Sequence, residues 1–277
     1  MLNIWPVQAT VRLSDIGATG APYGERWPLL RLHGVGKSYG AIQALTDVDL
    51  AIFGGEVVAL VGDNGAGKST LVKVISGVHP ADGGSIFFNG EEVRLHSPAD
   101  ATRHGVETVY QDLALCDNLD IVQNMFLGRE VTDRLAPPPF RSLSEVQMER
   151  LALDTLKDLQ VTTIKNVRSR VAALSGGQRQ AIAISKAVMW NSKVVLLDEP
   201  TAALGVSQTH QVLELIKRLR AQGLGVVIIS HNLHEVFEVA DRIAVLRLGR
   251  LVATFQRQDV TPEEVIAAIT GVRQNAA

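Results

Sequence analysis

The chain has 277 residues, 46% of them hydrophobic, a formal net charge of −2 and a single cysteine, Cys116. That length and apolar content suit one large domain with extensions and exclude a disordered or fibrous chain. Lysine and arginine are scattered rather than clustered, so no positive field favours nucleic acid, and one cysteine excludes an internal disulfide framework and a cysteine-based zinc site.

Positions 1–28 mix glycine, proline and polar residues without a basic start, an apolar block and a small-residue cleavage site. They are expected to be a loose extension. No apolar run approaches the roughly 18 residues needed to span a bilayer. Leu29 to Leu32 and Val48 to Ile52 are strand-like, and Gly54-Gly55 marks a turn before the continuous apolar run Glu56 to Val61. Next comes Gly62-Asp63-Asn64-Gly65-Ala66-Gly67-Lys68-Ser69, which fits G-x-x-x-x-G-K-[ST] between a buried strand and the helical segment Lys68 to Ile75. In that context the loop is a phosphate cradle. Backbone amides of Gly65 to Ser69 are expected to hold phosphate oxygens, Lys68 to contact the β- and γ-phosphates, and Ser69 to ligate Mg²⁺. Gly62, Asn64, Ala66, Gly67 and Thr70 complete the expected nucleotide set. Gly77 is a helix stop, and Ser85 to Phe88 and Glu92 to Leu95 flank the hairpin signal Asn89-Gly90, so a small antiparallel sheet is expected near the front.

From Leu113 to Trp190 the pattern turns helical, including Leu143 to Leu159 and Gln178 to Trp190, apart from a loop around Pro137, Pro138 and Pro139. This predicts an inserted helical subdomain over about 112–190. Within it, Gly176 and Gly177 open an apolar helical segment, so backbone amides there face outward as an anion-binding end. One nucleotide rarely needs two separate glycine-rich cradles in one subunit, which points to a site shared between molecules. Val194 to Leu197, Val226 to Ile229 and Ile243 to Leu246 then alternate with the helical runs Gln208 to Ala221 and Leu233 to Ala240, a rhythm that implies parallel pairing and an α/β core. Asp198 and Glu199 end the first of these strands, where carboxylates face the ligand crevice. Asp198 is placed to hold Mg²⁺, and Glu199, pointing differently, to polarise the water that attacks the γ-phosphate. His231 with His234 would make only a weak metal pair without a third ligand. Pro262 to Ile269 reads as a closing helix. The expected division is one domain over 29–252, then a C-terminal helix and tail over 253–277.

LSGGQ at Leu174 to Gln178, shortly before VVLLDEP at Val194 to Pro200, resembles the ATP-binding cassette of ABC transporters, and the resemblance covers roughly Leu30 to Arg250. It implies an α/β P-loop NTPase core of the RecA-like kind with an antiparallel β subdomain and an inserted helical subdomain. It further implies that Tyr39, in Lys37-Ser38-Tyr39-Gly40, stacks on adenine. Gln111, in Val109-Tyr110-Gln111, would sense Mg²⁺ and γ-phosphate and connect to the membrane partner. His231, in Ile229-Ser230-His231-Asn232, would reach the γ-phosphate. Without the resemblance His231 reads as a structural histidine. Ser175, Gly176, Gly177 and Gln178 would complete the ATP held by the cradle of a second subunit, so the ATP-bound state is expected to be a homodimer.

Gly205 departs from the family pattern, in which an aspartate follows Glu199-Pro200-Thr201-Ala202-Ala203-Leu204. DEPTAALGV, NMFLGRE and SHNLHEVFEVADRIAVLRLGR are similar to the ATPases of bacterial monosaccharide importers, the ribose, xylose and fructose group, the fructose branch above all. The implied protein is an ATPase that powers import of a monosaccharide through transmembrane permease subunits and, behind them, a periplasmic sugar-binding protein. It would sit peripherally at the cytoplasmic face of the inner membrane, with Asp112 to Gly128 as the docking surface and no nucleic-acid partner. The alternative is a non-transport ABC ATPase such as a soluble assembly factor. A P-loop small-molecule kinase leaves LSGGQ without a role.

Overall fold

The computed structural model of the chain describes residues 27–132 and 142–272. Most of the expected extension (1–28), the loop at Pro137 to Pro139 and the last five positions lie outside them. Two sheets carry the fold. The first joins β1 (Leu30–Tyr39), β2 (Ile42–Ile52), β4 (Gly83–Phe88) and β5 (Glu91–Val93) in the antiparallel order β2-β1-β4-β5. The second joins β3 (Glu56–Val61), β6 (Val106–Val109), β7 (Val194–Asp198), β8 (Gly225–Ile229), β9 (Arg242–Arg247) and β10 (Arg250–Gln256) in the order β10-β9-β3-β8-β7-β6. Its strands are parallel except β10, which returns antiparallel beside β9.

The central strands β3, β7, β8 and β9 of the second sheet are buried on both faces, which is why they carry continuous apolar runs. Val58 and Leu60 of β3 pack toward the first sheet and helix α1 (Lys68–Ile75), while Val57, Ala59 and Val61 pack toward the opposite helices. Those helices are α5 (Gly176–Val188), α6 (Val206–Ala221), α7 (Leu233–Val239) and α8 (Pro262–Thr270). The period-2 alternation of a strand thus divides one sequence run between two cores. A third core belongs to α3 (Ile121–Phe126), α4 (Glu145–Asp158) and Ile182 of α5, with Phe126 and Met125 fully enclosed. Because Ala183, Ile184 and Ala187 face the sheet side while Ile182 faces the helical side, α5 belongs to both bodies. Arg168 fastens the helical part: its guanidinium reaches Glu149 at 2.8 Å and Asp120 and Glu145 at 3.3 Å. Asn124, fully buried, accepts from the Cys116 amide at 2.7 Å and donates to the carbonyls of Cys116 and Asp120 at 3.0 and 2.9 Å.

The architecture matches the α/β core, the antiparallel sheet and the helical insertion expected from sequence, with local corrections. β1 continues to Tyr39 and β2 begins at Ile42. Irregular pairing between Leu32 and Ser38, where Gly34 and Gly36 interrupt the apolar pattern, hides the rest of that hairpin. Helix α2 (Pro98–Arg103), capped by Ser97, and edge strand β6 are too short to show a period. Among the described residues of 112–190, α-helix is confined to α3, α4 and α5, since the stretch from Val161 to Leu174 is irregular apart from one turn at Val171–Ala173. β10 runs through the boundary expected after residue 252, and α8 packs back on β9. Among the described residues no helix is long and apolar enough to cross a membrane.

Candidate functional site

The site lies where β3, β7 and β8 end side by side. After Val61 the chain turns through Gly62 at φ 153°, where a Cβ would sit 2.1 Å from the Leu246 carbonyl oxygen. At Gly67, the N-cap of α1 with φ 107°, a Cβ would come 2.8 Å from the Ala44 carbonyl oxygen. Only glycine lets the loop pass that close to β2 and β9. The Lys68 ammonium curls back and donates to the carbonyls of Gly62 and Asp63 at 2.7 and 2.9 Å. Burial holds its pKa below the ordinary lysine value, opposed by the charges of Glu199, Asp63 and Asp198. Asn64, Gly65 and Ser69 are exposed on the loop, Thr70 is half-buried and Ala66 is buried beneath.

Asp198 is the last residue of β7, half-buried, and Asp198 pairs in register with Ile229 of β8. Burial raises its pKa, the neighbouring Glu199 charge raises it further, and Lys68 and Lys73 oppose both. Glu199 turns into the left-handed region at φ 50° while its amide donates to the Ile229 carbonyl at 3.0 Å. The Glu199 carboxylate lies 2.9 Å from Nδ1 of His231, whose ring is 77% exposed. Tyr39 ends β1 with 40% exposure; His79 meets its ring edge-on at 5.5 Å, and the Lys37 ammonium, paired with Asp82 at 2.6 Å, lies 5.7 Å from the ring centroid. Gln111 is exposed just past β6, its segment pinned by a 3.1 Å hydrogen bond from the Tyr110 hydroxyl to Ser76.

The glycine pair of LSGGQ has a packing role that the sequence does not announce. A Cβ on Gly176 would come 2.9 Å from Cδ2 of Leu204, and one on Gly177 would come 2.9 Å from Cβ of Gln208. The glycines therefore let α5 approach the start of α6. Ser175 caps α5 in a reciprocal box with Gln178, whose side chain also donates to the Thr163 carbonyl at 2.8 Å. That box uses the Gln178 amide and leaves those of Gly176 and Gly177 without an intrahelical acceptor. Among the described residues no hydrogen bond or ion pair joins Leu174–Gln178 to Gly62–Ser69.

Close to Glu199 in the chain, Thr201 meets a buttress, a contact that no sequence pattern announces. Glu235 accepts a short hydrogen bond from the Thr201 hydroxyl and another from the Asn232 side chain at 2.9 Å. The available signal was the Asn-x-x-Glu spacing of a helix start, since Asn232 caps α7. His234 is exposed and joins no metal-ligating cluster; the one such cluster among the described residues, His210, Glu214 and Glu238, has the Lys217 ammonium 2.8 Å from Glu214 and 3.0 Å from Glu238.

Residues 45–202 match the ABC transporter family model. The chain is 46% identical to the fructose import ATP-binding protein FrcA of Rhizobium meliloti, covering 89% of this chain and 95% of that one. It is also 46% identical to the xylose/arabinose import ATP-binding protein XylG of Sulfolobus acidocaldarius, covering 87% and 94%. Among solved structures, a nucleotide-free ATP-binding cassette from an ABC transporter superposes with a TM-score of 0.74 at 26% identity, covering 88% of this chain and 96% of that one. A dimeric bacterial ABC transporter cassette gives a TM-score of 0.67 at 25% identity, covering 82% and 98%. With the phosphate loop, the paired carboxylates and the LSGGQ helix in one α/β fold, the chain belongs to the ABC transporter family as an ATP-hydrolysing nucleotide-binding cassette.

Proposed function

We propose that this cassette powers the import of a monosaccharide, working as a homodimer on transmembrane permease subunits at the cytoplasmic face of the inner membrane, with a periplasmic sugar-binding protein supplying the sugar. The two relatives above are both named for import of small sugars. The single observation that carries the catalytic part is the 2.9 Å contact between Glu199 and His231 at the mouth of the phosphate loop. Gly65 to Ser69 bind the phosphates through backbone amides, and Lys68 exchanges its two loop carbonyls for phosphate oxygens. Glu199 takes a proton from the attacking water as the water oxygen bonds to the γ-phosphorus and the bond to the ADP oxygen breaks. His231 holds the γ-phosphate, and Tyr39 offers its ring to adenine.

Ser69, Gln111 and Asp198 offer oxygen ligands, which suits Mg²⁺. These residues would hold Mg²⁺, which would supply positive charge to the phosphates. Ser175, Gly176, Gly177 and Gln178 close the site from the second subunit. ATP favours the closed dimer because only the γ-phosphate reaches both halves, a differential affinity that hydrolysis removes. Asp112 to Gly128 faces the permease.

The test is uptake of labelled fructose, xylose and ribose in a strain lacking this chain, complemented by the wild type or by Glu199→Gln. Restored uptake of one sugar by the wild type alone is expected. Unimpaired uptake of all three in the deletion strain overturns the sugar reading, and restoration by Glu199→Gln overturns the role of Glu199.

A further inference from the structure

We infer that Glu235 is a positioning residue for hydrolysis: it braces the loop that carries Glu199 against the loop that carries His231, through Thr201 on one side and Asn232 on the other. The inference rests on the catalytic reading of Glu199 and His231 given above. The two loops leave neighbouring parallel strands, β7 and β8, paired up to Asp198 and Ile229. Beyond the Glu199 amide bond to the Ile229 carbonyl, their side-chain link is the 2.9 Å contact of Glu199 with a His231 ring that is 77% exposed. A contact so open to water holds little by itself, and in the proposed mechanism His231 turns to the γ-phosphate.

Glu235 supplies a second link away from the substrate. One carboxylate oxygen accepts from Thr201, which is 7% exposed and stands two residues after Glu199; the other accepts from Asn232, the neighbour of His231. Asn232 is held in turn, its amide donating to the buried Ser230 hydroxyl at 3.0 Å and its side-chain oxygen accepting from the His234 amide at 3.1 Å. Glu199 itself sits at φ 50°, a conformation a non-glycine residue keeps only when its surroundings impose it. Thr201 is the nearest downstream side chain with a bond across to the other loop. Charge-assisted bonds of this kind are the stronger class of hydrogen bond, and both acceptors are on one rigid group in the first turn of α7.

The brace predicts a loss in turnover rather than in nucleotide affinity. With the full-length chain, Glu235→Ala and Thr201→Val should each lower kcat for ATP about tenfold with the KM for ATP within about twofold of wild type. Thr201→Ser, which keeps the hydroxyl, should restore turnover. Because both substitutions cut the same link, the Thr201→Val, Glu235→Ala double variant should be no slower than Glu235→Ala alone. Thermal unfolding of each variant accompanies the kinetics. Wild-type kcat in Glu235→Ala beside a stalled Glu199→Gln overturns the brace alone, as does multiplication of the two losses in the double variant. A Thr201→Ser chain as slow as Thr201→Val overturns it as well. A Glu199→Gln chain that hydrolyses ATP normally removes the reading beneath it and takes the brace with it.

Discussion

Asp198 shows what the site costs the fold. Its carboxylate is half-buried beside a second carboxylate, and burial first, then the Glu199 charge, lift its pKa against the pull of Lys68 and Lys73. A group whose folded pKa is raised adds stability below its unfolded value and loses that contribution as pH rises through the folded one. At neutral pH the charged Asp198 therefore weighs against the nucleotide-free fold. Asp198→Asn should raise the apparent Tm by a few degrees at pH 7, and the gap to wild type should close as pH falls toward the ordinary carboxylate range. Thermal unfolding across that range checks both the sign and the window; a variant less stable than wild type at pH 7 refutes it. The same variant should lose Mg²⁺-dependent ATP hydrolysis, because what destabilises the empty site is the charge that the proposed cation needs.

At the level of elements, α5 and α6 begin side by side and are capped differently. α5 has the Ser175–Gln178 box, whereas α6 starts at Gly205, which offers no side chain to its first-turn amides. Gly205 has an ordinary φ of −75°, and a Cβ there would meet nothing within 4 Å. Neither backbone conformation nor space demands glycine. Gly205→Asp should therefore supply the missing cap and stabilise the chain by a few tenths of a kcal/mol, read from chemical denaturation. A destabilised variant would mean that the carboxylate meets an opposing group at the α5–α6 junction. Nothing in the described structure explains the absence of the family aspartate.

For the whole molecule, the separation of LSGGQ from the phosphate loop makes oligomerisation a part of the catalytic proposal. Ser175→Asp keeps a good helix cap but sets a negative charge where the phosphate of the second subunit would lie. Lys68→Ala disables the phosphate loop and leaves LSGGQ intact. Each variant alone should be nearly inactive. Mixed in equal amounts, half of the dimers would pair one intact phosphate loop with one intact LSGGQ, and turnover should recover toward about a quarter of wild type. A mixture as inactive as its components refutes a site made across two chains, and an active Ser175→Asp chain refutes the placement of Ser175.

The phosphate loop, the carboxylate pair and the α/β order were legible in the sequence because each depends on local chemistry. Gly62 to Ser69 need particular residues at fixed spacing between a strand and a helix, and β3, β7, β8 and β9 are buried on both faces, so their apolar runs stand out. His231, Gln111 and Tyr39 were legible only through family resemblance, since a single histidine, glutamine or tyrosine at an element end carries no pattern. Tertiary structure alone decided the rest. It joined β1 to β2 across an irregular register and paired the short edge strand β6 with β7, remote in sequence, which no local period records. It set Glu235 between Thr201 and Asn232, and it showed that the LSGGQ glycines are small partly because α6 lies against them. The sequence by itself determined the central strands, the long helices and the phosphate loop; contacts between segments remote along the chain arise only when the chain packs, and those contacts decided how the candidate catalytic groups are held.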